Sequence, residues 1–193
     1  ATVNDAPTDI SLSNSSVAEN SPVNTVVGAF TTTDPDPGDT FAYALVSGSG
    51  DSDNASFNIS GSDLRTSDLF NYEVKNSYSI RVRAADQGGL FFEKAFTITV
   101  TDVNEQPTDI SLSNSSVAEN AAIDTVVGAF STSDPDAGNT FTYTLASGSG
   151  DTDNASFNIF GSSLRTSTVF NYEAKNSYSI RVRAADQGGL FFE

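Results

Sequence analysis

Tyr78-Ser79-Ile80-Arg81-Val82-Arg83-Ala84-Ala85 alternates between two faces for eight residues. A period of two marks a half-buried β-strand. Tyr78, Ile80, Val82 and Ala84 form its inward face, and Arg81 and Arg83 are expected on an exposed outer face. The run stops at Asp86-Gln87-Gly88-Gly89, a turn by composition. Beyond it Phe96, Ile98 and Val100 alternate again and read as a last strand. Towards the N-terminus, Ile10 with Leu12, residues 25–30, Phe41 with Tyr43 and Leu45, Phe57 with Ile59, and Leu64 read as further short strands. Asp34-Pro35-Asp36-Pro37-Gly38 and a Gly/Ser/Asp loop at 47–53 punctuate them; around Asp51, Asp53 and Asn54 a flexible turn is expected. No long segment has helical period. About seven short strands in ~100 residues predict an all-β, antiparallel Greek-key sandwich.

The unit occurs twice. Residues 76–93 return unchanged as 176–193, and residues 7–20 return as 107–120. Across 7–93 and 107–193 the two copies agree at roughly 80% of positions, the signature of a tandem array. The expected organisation is a remnant of a preceding linker at 1–6, a first repeat at 7–101, a linker at 102–106 and a second repeat at 107–193. The remnant is recognised because Val3-Asn4-Asp5-Ala6-Pro7 parallels Val103-Asn104-Glu105-Gln106-Pro107. The second repeat is expected to lack its last strand, either because the boundary falls arbitrarily within a longer array or because a neighbouring molecule supplies that strand.

The 193 residues carry a formal net charge of -16 and no Cys, His, Trp or Met. With 37% hydrophobic residues the chain can build a core. Its acidity argues against nucleic acid, which needs a basic footprint, and against an anionic membrane surface. Without Cys there are no disulfides, thiolate metal sites or thiol nucleophiles. Without His the commonest general base and the usual zinc ligand are missing. No apolar run approaches the ~20 residues that span a bilayer. No leader is recognisable, so the chain reads as an internal piece of something longer.

So much uncompensated charge repels itself and works against the compact state. The sharpest concentration is the linker Thr101-Asp102-Val103-Asn104-Glu105-Gln106-Pro107. Oxygen-bearing side chains at this density suit calcium, which takes six to eight oxygen ligands in flexible geometry. Loops of a sandwich gather at its two ends. Glu19, the 71–73 stretch and the linker are expected at one end of repeat one, and Asp134, Asp136 and Asp186 at the facing end of repeat two. Asp34-Pro35-Asp36-Pro37-Gly38 reads equally well as a plain turn.

These residues, in this order, resemble the cadherin family in its bacterial cadherin-like form, over essentially the whole chain. The match lies in Ala18-Glu19-Asn20 and Ala118-Glu119-Asn120, in Asp34-Pro35-Asp36 and Asp134-Pro135-Asp136, and partly in Asn71-Tyr72-Glu73 and Asn171-Tyr172-Glu173. It continues in Ala84-Ala85-Asp86 and Ala184-Ala185-Asp186, and loosely in Asp102-Val103-Asn104-Glu105-Gln106. The resemblance implies a calcium-binding joint drawing on Glu19, Asn71, Glu73, Asp102, the Val103 carbonyl, Asn104, Glu105, Asp134, Asp136 and Asp186. It implies a second, N-terminal joint of Asn4, Asp5, Asp34, Asp36 and Asp86. It leaves Glu119, Asn171 and Glu173 for a following repeat. Two departures stand out. Asn71 holds a place where the family has a carboxylate, and Glu105 a place where it has aspartate.

The function implied is structural. Calcium at each joint would turn a flexible string of repeats into a rod, within a large extracellular adhesin or surface fibre. The partners would be neighbouring repeats, with like repeats on other molecules or polysaccharide as alternatives, and a self-assembling filament as a further one. Paired carboxylates also hydrolyse glycosidic bonds, but acidic groups that recur at turns in every repeat do not suit one active site, so no enzyme is expected.

Overall fold

The computed structural model describes residues 3–193; Ala1 and Thr2, the start of the expected linker remnant, lie outside the described residues. The chain divides between Val103 and Asn104 into two compact units.

In the first unit the strands are β1 (Asp9–Leu12), β2 (Ser16–Ala18), β3 (Val26–Thr33), β4 (Phe41–Leu45), β5 (Phe57–Ser60), β6 (Asp63–Thr66), β7 (Ser77–Asp86) and β8 (Phe91–Thr101). They form two sheets, ordered β1-β3-β6-β5 and β2-β8-β7-β4. Every pairing is antiparallel except β2 with β8. The chain therefore crosses from one sheet to the other between β1 and β2. Asn14 fixes that crossing by donating from Nδ2 to the carbonyls of Ser16 (2.6 Å) and Val27 (2.7 Å). Gly28 permits the approach, since a Cβ there would sit 2.5 Å from the Asn14 carbonyl oxygen.

The alternation of β7 does what its sequence predicts. Ile80, Val82 and Ala84 are fully buried, with Ile98 and Val100 of β8 beside them and Ile10 and Leu64 opposite. Burial of such side chains stabilises by about 1.5–3 kcal/mol each. Three readings are corrected. The last strand starts at Phe91, not near Phe96, so β7 and β8 pair from Ala85↔Phe91 to Ser77↔Thr99. Arg81 and Arg83 are not a plain exposed face. Both grip Glu93 across the ladder, at 3.0 Å from Arg81 Nε and 2.8 Å from Arg83 Nε. The 51–54 loop is tied down. Asp53 accepts the Ser79 N–H at 2.8 Å and pairs with Lys75, while Asn54 accepts the Arg81 N–H at 2.9 Å.

The second unit repeats this plan with β9 (Asp109–Leu112), β10 (Val126–Ser133), β11 (Thr142–Leu145), β12 (Phe157–Phe160), β13 (Ser163–Thr166), β14 (Val182–Ala185) and β15 (Phe191–Phe192). One sheet is ordered β12-β13-β10-β9 and the other β11-β14-β15. The last strand is thus begun rather than wholly lacking: Phe191 and Phe192 pair with Ala185 and Ala184. Although residues 176–193 equal 76–93, β14 has four residues where β7 has ten. Residues 116–118, identical to β2, are in no strand. In the first unit the rest of β7, and all of β2, pair with residues 94–101 of β8.

Candidate metal centre

At one end of the first unit the β3–β4 loop, the β7–β8 turn and the N-terminal segment meet. Asp34 Oδ1 accepts the Asp36 N–H at 2.8 Å, which folds the loop back on itself. Asp36 Oδ2 accepts the Asp5 N–H at 2.6 Å. Asp86, at the end of β7, accepts from Asn4 Nδ2 (3.0 Å) through one oxygen and from the Leu90 N–H (3.0 Å) through the other. Asn4 lies directly on Gly88, where a Cβ would come 2.6 Å from its Nδ2. All five residues expected at the N-terminal joint are thereby brought together. The loop adds a sixth, Asp39, which sequence reasoning missed.

Asp34, Asp39 and Asp86 each offer a carboxylate oxygen, and the three oxygens lie within 4.8 Å of one another. Ion pairs hold Asp9, Asp53, Asp63 and Glu93 elsewhere in this unit; these three aspartates are in none of them. One oxygen of Asp34 and one of Asp39 are buried with no hydrogen-bond partner among the described residues. Burial pushes the Asp39 carboxyl up, Gln87 draws it back by hydrogen bonding, and the charges of Asp34, Asp36 and Asp86 raise it further. Buried anionic oxygens without donors are costly, so this cluster fits a hard, oxygen-seeking cation.

The second unit rebuilds the same end. Asp134 Oδ1 accepts the Asp136 N–H at 2.9 Å, Asp136 Oδ2 accepts the Glu105 N–H at 2.7 Å, and Asp186 Oδ2 accepts from Asn104 Nδ2 at 2.9 Å. Asp134 Oδ2 and Asp136 Oδ1 are buried with no hydrogen-bond partner among the described residues. Burial pushes Asp186 up, but Asn104 and the amides of Leu190, Gly189 and Gly188 outweigh it and hold its carboxyl below the usual range. Asn139 stands where the first unit has Asp39, and it donates to Asp134 at 3.2 Å. A carboxylate is thus replaced by a donor that quiets its neighbour.

The opposite end of the first unit is built around Glu19, only 2% exposed. Its two carboxylate oxygens accept the N–H groups of Val103 and Tyr72, each at 2.8 Å. Asn71 Oδ1 accepts the Val74 N–H at 2.8 Å, so this side chain caps a turn. Glu73, Asp102 and Val103 are exposed. In the second unit Glu119 accepts the Tyr172 N–H at 3.1 Å, its one hydrogen bond among the described residues, and is exposed, as are Asn171 and Glu173. Asn171 caps the same turn through the Ala174 N–H at 3.0 Å.

Residues 13–101 match the cadherin domain model. Human Protocadherin-16 is 32% identical over 183 residues, covering 90% of this chain and 6% of that protein. Protocadherin gamma-A4 of Pan troglodytes is 31% identical over 187 residues, 90% of this chain and 19% of that protein. The chain therefore spans under a fifth of either relative. Among solved structures, human Protocadherin-24 EC1-2 matches with a TM-score of 0.73 at 19% identity, over 98% of this chain and 92% of that one. The human Desmocollin-1 ectodomain matches at 0.66 and 25% identity, over 94% of this chain and 37% of that one.

Proposed function

We propose that the chain is a calcium-stiffened segment, built of cadherin domains, of a large extracellular adhesin or surface fibre; the match of residues 13–101 to the cadherin domain model, and the return of that sequence in the second unit, support this reading. The observation that carries this reading is the set of buried aspartate oxygens with no partner among the described residues, at the same end of both units: at Asp34 and Asp39 in one and at Asp134 and Asp136 in the other. Carboxylate oxygens enclosed in this way are costly without a counter-charge.

The residues that would hold calcium at the first unit's end are Asn4, Asp5, Asp34, Asp36, Asp39 and Asp86. At the other end of the first unit they are Glu19, Asn71, Glu73, Asp102 and the Val103 carbonyl; at the N-terminal end of the second unit they are Asn104, Glu105, Asp134, Asp136 and Asp186. Glu119, Asn171 and Glu173 would serve a further repeat. The ion supplies neutralisation and crosslinking. The protein supplies the preset carboxylates, the Asn104 clamp on Asp186 and the Glu19 anchor on Val103. Extracellular calcium modules of this kind bind on the order of 10⁻⁴–10⁻³ M, which suits a fibre assembled outside the cell. The near-identity of adjacent repeats supports a long, many-copy array of the bacterial cadherin-like kind. Association with like repeats on other molecules is a natural second role, since a Protocadherin gammaB7 fragment forms a cis-dimer.

Titration calorimetry with calcium, alongside small-angle scattering with and without chelator, tests the reading. Several bound ions and a shape that stiffens on binding are expected. No binding in the millimolar range, with scattering indifferent to chelator, would sink it.

A further inference from the structure

Strands β10, β13 and β12 present an outer face of the second unit. Arg165 pairs in register with Val126 on one side and with Asn158 on the other, and residues directly opposite share a face. In β12 Phe157 and Ile159 turn inward to the core, so Asn158 and Phe160 turn outward. The guanidinium carbon of Arg165 sits 4.7 Å from the centre of the Phe160 ring. Asn158 donates from Nδ2 to Asp124 Oδ1 at 3.2 Å, which brings that carboxylate beside the same row. Phe160 is 69% exposed, and Val126 and Ile123 are exposed as well.

The first unit carries a different set on this face. Where the second unit has Ile123, Asp124, Phe160 and Ser163, the first has Val23, Asn24, Ser60 and Asp63. Asp63 pairs with Arg65 at 3.2 Å; serine at 163 leaves Arg165 without that acid. Among the described residues every Lys and Arg except Arg165 is in an ion pair, and Asp124 is in none either. An exposed apolar patch marks an interaction site when it is more than a scattered side chain, and this one carries its own cation and its own anion.

We propose that this face of the second unit is a self-complementary docking surface whose occupant is the same face of a second copy of the chain. A two-fold interface places one patch on itself, so that a residue meets its complement twice. Arg165 of each copy then faces Asp124 of the other, with the two Phe160 rings enclosed between them. Complementary charges fix register and orientation, and aromatic and arginine side chains are the usual anchors of such contacts. A polyanion would meet Arg165 but also Asp124 and the chain's net charge of -16, which favours a partner bearing both signs. The proposal rests on association between like repeats as a role of the chain and gives that role a surface.

Sedimentation of the chain from micromolar to millimolar concentration, with calcium and with chelator, tests it. A monomer–dimer equilibrium weakened by added salt is expected. Three substitutions restore what the first unit holds at the equivalent positions and are therefore compatible with the fold. F160S should weaken dimerisation at least about a hundredfold, since it acts twice across a two-fold interface. S163D, which offers Arg165 an acid as Asp63 does Arg65, and D124N should each weaken it about tenfold. Calcium binding by calorimetry should be unchanged in all three. A dimer indifferent to the three substitutions overturns the proposal and leaves association between like repeats standing through another surface. A strict monomer overturns both; if an added polyuronate then shifts the Phe160 ring resonances, a glycan is the occupant.

Discussion

Glu19 near the start of the first unit accepts a hydrogen bond from the backbone N–H of Val103, that unit's last residue, at 2.8 Å. The same carboxylate holds Tyr72, so one buried group ties three segments. Truncating it strands two donors in a site that is 2% exposed. Hydrogen bonds to charged groups contribute about 1.5–3 kcal/mol, so Glu19→Ala should cost the first unit about 2–4 kcal/mol. Glu119→Ala, at an exposed position with one such bond, should cost under about 0.5 kcal/mol. Denaturant unfolding measures both, and equal losses would show that Glu19 is no anchor.

Asp39 and Asn139 make a second natural pair. Asp39→Asn should raise the melting temperature of the calcium-free protein, because it removes one of three crowded carboxylates. It should also weaken calcium binding, since ligand charge tunes affinity. Asn139→Asp should do the reverse in the second unit. Melting with and without chelator, together with a calcium titration, checks the sign of both effects. A calcium-free protein indifferent to D39N would mean that the cluster is not repulsive.

How much of this was legible beforehand depends on range along the chain. The inward set Ile80, Val82 and Ala84 could be read because alternation is local. Asp34 and Asp36 could be read because they are two residues apart in a turn. Asp39 was hidden because Pro37 and Gly38 looked like the end of that turn, while Gly38 adopts a positive φ of 97° and lets the loop come back. Glu93 was hidden for a different reason. Its pairing with Arg83 is a matter of strand register, and register is set by turn and core together. The burial of Glu19 is also non-local, since it requires both the linker and the 70–72 stretch. An acidic residue in an Ala-Glu-Asn corner carries no local sign that it will be enclosed.

The pH dependence of the calcium-free protein should combine two opposite signs. Hydrogen bonds from Arg83 and Arg81 hold the Glu93 carboxyl below its ordinary range, against the effect of burial. A depressed carboxylate stabilises above its unfolded value of about 4.3, and that stability is lost as pH falls through the folded value. Asp39 is raised, so its charge costs stability at neutral pH, and acid relieves that cost. Wild type should therefore exceed Glu93→Gln at neutral pH, and Asp39→Asn should exceed wild type. Both gaps should close on acidification. Melting curves from about pH 7 to about pH 3 decide it; a gap that widens in acid would reverse the assigned sign.

Gly188 tests the clamp between Asn104 and Asp186. A Cβ at this position would come 2.7 Å from Asn104 Nδ2, so Gly188→Ala should push the asparagine off the carboxylate. The expected result is weaker calcium binding with little change in the far-UV spectrum of the sheets. Asn104→Ala should weaken binding to a similar degree, and the double variant should be no worse than either single one, because coupled residues do not add. Additive losses would separate the glycine from the asparagine.

Ile80 and Ile180 have the same neighbours in sequence, yet Ile80 is fully buried and Ile180 is not. Differences between them report packing against residues 94–101 of β8 rather than local propensity. Ile80→Ala should cost about 2–5 kcal/mol, as buried isoleucine truncations do. Ile180→Ala should cost only about 1 kcal/mol, since part of its surface is already in water. Denaturant unfolding with a probe in each unit resolves the two. Equal costs would mean that Ile180 is as well packed in solution as Ile80.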